Sequence, residues 1–130
     1  MRVTTLFPSS EIFGVKLVNG HPTQAVITVE NNEDDSVFIE IVGGTLTNDQ
    51  AGQVVRNLTS TTYNLEVVAG AKDSLTYSFS TELHPQDLRL QLIAILTKGK
   101  KGFFTVSAYN ETVSVVEAPV SIFDPQMYAT

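Results

Sequence analysis

The chain is expected to be an all-β, immunoglobulin/fibronectin-III-like antiparallel β-sandwich of about seven to nine strands. Three observations predict it. Apolar and polar residues alternate with period two almost throughout, as in "QAVITVE" (24–30) and "SLTYSFS" (74–80). Turn residues interrupt the alternation every ~8–12 residues, the rhythm of a sandwich. No segment sustains an i, i+3, i+4, i+7 apolar stripe, and β-branched residues are abundant.

The opening "MRVTTLFPSSE" carries no signal-peptide hydrophobic region and is assigned to no strand. "GVKLV" (14–18) is the first alternating segment, and "NGHP" (19–22) breaks it. In 24–30, Ala25, Ile27 and Val29 share one face. "NNEDDS" (31–36) is a polar turn before the strand "VFIEIVGGTL" (37–46), in which Gly43-Gly44 marks a bulge or bend. "TNDQAGQ" (47–53) is loop. Residues 54–68 hold a short strand, an Asn-x-Thr triplet and room for a further strand. "AGAKD" (69–73) turns the chain into 74–80, where Leu75, Tyr77 and Phe79 share a face. After the loop "TELHPQD" (81–87), "LRLQLIAIL" (88–96) puts Leu88, Leu90, Leu92, Ala94 and Leu96 on one face, with Ile93 and Ile95 on the other. Two apolar faces suit a central strand. "TKGKKG" (97–102) is a hairpin turn whose glycines supply positive φ, and "FFTVSAYNETVSVVE" (103–117) returns antiparallel to 88–96. The domain is therefore placed at 1–117. The tail 118–130, with two prolines and no alternation, is read as a segment leaving it.

Composition narrows function. The 130 residues are enough for one domain with a real core. A formal net charge of −6 offers no basic face for nucleic acid. With no cysteine, disulfides, thiolate zinc sites and cysteine nucleophiles are excluded. The longest apolar run, "LQLIAIL" (90–96), falls far short of the ~20 residues of a membrane span. If the chain is secretory, it is a fragment. Catalysis finds no support: there is no G-x-S-x-G, no helical paired histidine and no Gly-rich loop opening a helix. No cofactor is expected.

His21 and His84 each sit beside a proline in a loop, without the convergent partners a metal needs, and are read as solvated. Glu33-Asp34-Asp35 offers oxygens of the kind calcium takes, but lacks the spacing of a dedicated loop; it is read as a solvated turn. Lys98, Lys100 and Lys101 alternate with glycines at the hairpin tip, where they could meet lipid headgroups or an acidic partner, or simply keep the turn soluble.

The chain has two N-glycosylation acceptors, Asn57-Leu58-Thr59 and Asn110-Glu111-Thr112. Asn110 lies inside an alternating run. A glycan cannot be buried, so Asn110 must face outward, with Tyr109, Val113 and Val115 inward. From there two registers are open. Without a bulge, Phe103 faces inward, and Phe104, Val106 and Ala108 face outward as a partner surface. With a bulge between 106 and 110, Phe104 and Val106 turn into the core.

The order of segments resembles a known family. "TTLFP" near the start, "VENNEDD", "RNLTSTTYNLEVVAGAKDSLTYSF", the paired "LRLQLIAIL" and "GFFTVSAYNETVSVVE", and the closing "SIFDPQMY" look like the lumenal domain of the alpha subunit of the translocon-associated protein complex (signal sequence receptor alpha), in a divergent, fungal-type form. The resemblance covers about residues 4–128 and places Asn57 and Asn110 at the family's glycosylated positions. The acidic segment that precedes the domain in animal members is absent. The resemblance implies a single-pass endoplasmic reticulum membrane protein with this domain in the lumen. Residues 118–130 would lead toward a membrane span that this chain lacks. It further implies a non-enzymatic role beside the protein-conducting channel, with sister subunits and nascent chains as partners, in translocation or topology. The family is also associated with calcium, for which this sequence shows no ligand set. The alternative from another class is a generic adhesion or cell-surface sandwich domain.

Overall fold

A computed structural model describes residues 1–8, 14–98 and 102–118. Among the described residues, eight strands form two sheets: β1 (Arg2–Leu6), β2 (Lys16–Val18), β3 (Thr23–Glu30), β4 (Val37–Asn48), β5 (Gln53–Val67), β6 (Lys72–Phe79), β7 (Gln86–Thr97) and β8 (Phe103–Val116). The order is β1-β3-β6 in the smaller sheet and β2-β8-β7-β4-β5 in the larger. The chain is thus the expected all-β sandwich.

The core forms where the inner faces meet. Ala25, Ile27 and Val29 of β3 and Leu75, Tyr77 and Phe79 of β6 are buried from one side. Leu88, Leu90, Leu92, Ala94 and Leu96 of β7 are buried from the other. β7 is the middle strand of five, as its two apolar faces suggested, but its second face is only half covered, with Ile93 40% exposed. β7 and β8 pair antiparallel from Gln86↔Val115 to Thr97↔Phe103, the hairpin expected from the sequence.

Three features depart from the expectation. β1 is a strand that the sequence did not announce: its inner positions are Val3 and Thr5, and one apolar residue makes no alternation. β2 pairs β8 in parallel, Lys16↔Ser114 to Val18↔Val116, so the larger sheet is not wholly antiparallel. The chain reaches β2 from the opposite sheet, and a crossing connection, unlike a hairpin, leaves the strand free to run either way. β5 is one continuous strand through the first acceptor triplet. Register shifts against β4 and a positive φ at Asn64 disrupt its period, which is why its sequence looked like fragments.

Gly43-Gly44 is the expected irregularity, with a register shift between Val42 and Gly44. Gly44 is also a close approach: a Cβ there would overlap the Gln91 carbonyl oxygen on β7. Two asparagines fasten the ends of the sandwich. Fully buried Asn31 donates from Nδ2 to the carbonyls of Asp35 (2.8 Å) and Val67 (2.9 Å) and accepts from the Glu33 amide (3.1 Å). At the other end Asn19 donates to the Leu83 carbonyl and accepts from the Leu83 amide (3.0 Å), tying β2 to the β6–β7 connection.

Candidate glycosylation sites and partner surface

Both sequon asparagines are exposed, and the ladder puts them on one line. Asn57 pairs with Thr45, Thr45 with Gln91, and Gln91 with Asn110. The four residues form a single cross-strand row on the outer face of the larger sheet. Three strand spacings separate its ends, about 14 Å.

The surroundings of Asn110 depend on a bulge. The register shifts between Leu92 and Ile93: Leu92 pairs with Tyr109, but Ile93 pairs with Ser107. Ala108 is the extra residue, 8% exposed. Its carbonyl accepts a 2.6 Å bond from Thr5 Oγ1 of β1, so the opposite sheet satisfies this buried acceptor at the bulge. Tyr109 meets Phe7 edge-on, with centroids 4.8 Å apart, and burial pushes its hydroxyl pKa up, with Glu111 nearby adding to the rise. The amide oxygen of Asn110 accepts from Arg89 (3.0 Å), which also pairs with Asp49 (2.9 Å). The glycan-accepting atom is the other one, the amide nitrogen.

This geometry corrects the outward row considered from the sequence. Phe104 and Val106 are half-buried, face inward and pack against the core, while Phe103 stands outward at 75% exposure. The bulge, by inserting one residue, exchanges the two faces of everything between it and the hairpin. Lys98 forms a 2.7 Å ion pair with Glu33, whose hydrogen bond raises the lysine pKa. Lys100 and Lys101 lie outside the described residues, as do residues 119–130 of the tail. Toward the hairpin the outer face of the larger sheet carries an apolar group, Phe38, Ile41, Ile93, Ile95 and Phe103, while Val54 of β5 stands exposed at the other end.

Asn57 has a different setting. β5 is an edge strand, and Leu58, 8% exposed, anchors it in the core. Two tyrosines bridge from β5 to β6, the edge of the other sheet. Tyr77, fully buried, donates its hydroxyl to the carbonyl of Thr59 at 2.6 Å, and Tyr63 donates to the carbonyl of Thr76 at 2.8 Å. Burial, and secondarily Tyr63, pushes the Tyr77 pKa to about 12. Below these bridges the seam opens into a groove of about 610 Å³, lined by Arg56, Asn57, Thr59, Ser78, Ser80 and Glu82 among others. Neither the bridges nor the groove had a sequence signal, because both depend on how the edges of two different sheets meet, which alternation along a single strand does not report.

Among the described residues, no three histidine or acidic side chains converge on a point where a metal could bind.

A family profile described as "Translocon-associated protein (TRAP), alpha subunit" matches residues 9–129. Two yeast proteins, each called "Increased recombination centers protein 22", are similar. The one from Komagataella phaffii is 25% identical over 114 residues, covering 87% of this chain and 51% of its own length. The one from Meyerozyma guilliermondii is 29% identical over 115 residues, covering 86% and 47%. The chain therefore spans about half the length of these relatives. Among solved structures, the C-terminal domain of wzt superposes with a TM-score of 0.54 at 17% identity, covering 80% of this chain and 65% of that one. A protein from Archaeoglobus fulgidus gives 0.51 at 13% identity, covering 82% and 92%. Likeness at such identity shows the fold alone.

Proposed function

Because the chain belongs to the translocon-associated protein alpha-subunit family, we propose that it is a non-enzymatic accessory module of the endoplasmic reticulum translocon. In this reading it lies in the lumen and assists translocation or topology of nascent chains by contacting the channel, sister subunits or the chain itself. The observation that carries the reading is the family match over 9–129. Two exposed sequon asparagines on one outer face support it, because a lumenal domain must offer its sequons to solvent.

Residues 118–130 then lead toward a single membrane span. They follow β8, whose 14 residues run ~45 Å from the hairpin. The end with Asn19 and Glu117 faces the membrane, and the opposite end, with Lys98 and Phe103, points into the lumen. Lumenal partners meet Phe103 and Ile93 beside it, the outward residues of that half of the sheet.

The test uses the full-length gene product in microsomes. Endoglycosidase should shift its mobility, added protease should spare this domain until detergent is present, and the channel should co-purify after mild solubilisation. A protein without glycans and digested from outside intact microsomes would contradict the lumenal reading. A glycosylated protein exported to the cell surface would favour the adhesion-type alternative.

A further inference from the structure

We propose that the groove between the edges of β5 and β6 is a binding site for the chain's own N-glycan, holding the first N-acetylglucosamine residues attached at Asn57. The proposal rests on the lumenal reading, since only there would Asn57 be modified.

The argument begins with the seam. β5 and β6 are the outermost strands of their sheets on this side. An edge strand presents backbone donors and acceptors without ladder partners. From Thr59 to Tyr63, the tyrosine hydroxyls cross the gap and engage carbonyls on each side. Toward residues 56–58 and 78–82 this bridging stops, and there the groove opens. Two of its lining residues are joined to each other, the Gly20 amide donating to the Thr81 carbonyl at 3.0 Å.

The groove's chemistry fits a sugar. Its volume, about 610 Å³, lies within the ~300–1,000 Å³ usual for small-ligand sites. Ser78, Ser80, Arg56 and Glu82 supply hydroxyl, guanidinium and carboxylate partners for ring hydroxyls and acetamido groups. Asn57 itself is part of the rim. A glycan joined there is delivered at high effective concentration, so weak contacts suffice to keep its core seated. A seated core would also cover two open edges that could otherwise pair with another strand.

Asn110 supplies the internal contrast. It lies on β8, three strands away, and its amide oxygen is held by Arg89. The hollow beside Arg89 is lined by Thr112 of this triplet but not by Asn110. A glycan at Asn110 should therefore stand in solvent.

The experiment compares backbone hydrogen exchange in full-length protein purified from a glycosylating host. The forms are the intact glycoprotein, the same protein trimmed by endoglycosidase to one N-acetylglucosamine per site, Thr59→Val and Asn57→Gln (which lose the Asn57 glycan in different ways), and Asn110→Gln. Amides at 78–82 should exchange at least about 10-fold more slowly with sugar at Asn57 than in either variant lacking it. The trimmed form should keep much of this protection, and Asn110→Gln should keep all of it. Equal exchange with and without the Asn57 sugar would overturn the proposal, as would the same change in Asn110→Gln. Mass spectrometry separates the two readings. Asn110 occupied with Asn57 bare sinks the groove site alone, whereas both bare sinks the lumenal reading with it.

Discussion

The two acceptor triplets share one row of one sheet, yet the molecule holds them in opposite ways. Asn57-Leu58-Thr59 sits on an edge strand and is fixed from beneath, by Leu58 in the core and by the Tyr77 hydroxyl on the Thr59 carbonyl. Asn110-Glu111-Thr112 sits one strand in from the opposite edge and is fixed from its flank. A bulge at Ala108 sets its register, Thr5 binds the bulged carbonyl, and Arg89 holds the asparagine oxygen. An edge strand must be anchored through its side chains because it has ladder bonds on one side only, whereas a strand flanked on both sides can be aimed by its register.

The largest expected effect separates the middle residues of the triplets. Leu58→Ala should cost ~3 kcal/mol, the usual range for emptying a buried leucine site. Glu111→Ala, at an exposed position, should stay within about 0.5 kcal/mol. Denaturant melts of both variants check this; equal losses would mean that the first triplet is not anchored through the core.

Next comes the bulge. Phe104→Ser should lower stability by ~2 kcal/mol, because the ring packs against the core but is only half-buried. Phe103→Ser, at the neighbouring outward position, should change it by less than ~0.5 kcal/mol. Thermal melts in which the two variants exchanged rank would restore the unbulged register.

A smaller effect belongs to the tyrosine bridge. Tyr77→Phe deletes one hydrogen bond and should cost ~1 kcal/mol. The same hydroxyl makes stability depend on alkaline pH. Its pKa is raised from an ordinary value of 10.0 to about 12, so the unfolded chain loses this proton first. The contribution is complete below about pH 10 and is lost as pH rises toward about 12. Tyr63 and Tyr109, also shifted upward, add slopes of the same sign, so Tyr77→Phe should flatten this decline without abolishing it. An unchanged alkaline slope in the variant would remove Tyr77 from the account.

Most of the fold was legible because most strands obey period two. The inner faces of β3, β6 and β7 were read residue by residue from alternation and are buried as read. Legibility failed where a strand lacks an apolar face or changes face midway. β1 turns Thr5 inward, toward Ala108, where an alternating strand would show an apolar residue. β8 reads as one strand, but Phe103-Phe104 and Val113-Val115 obey opposite phases, and the sequence "VSAY" (106–109) does not say which residue is extra. The bond that stabilises the bulge comes from a residue 103 positions earlier, beyond any local window. The sequons were plain as motifs. Their alignment was not, because it depends on the summed registers of three strand pairings, irregularities included.

That alignment is the central claim, and the absence of cysteine makes it directly measurable. Asn57→Cys and Asn110→Cys in one chain give two unique attachment points for spin labels. Both should report solvent-exposed, same-face positions. Their backbones should lie about 14 Å apart across three strand spacings, with the spin–spin distance broadened only by the reach of the labels. A separation near the length of a long strand, about 40 Å or more, would place the two sites in different rows and contradict the register on which the account rests.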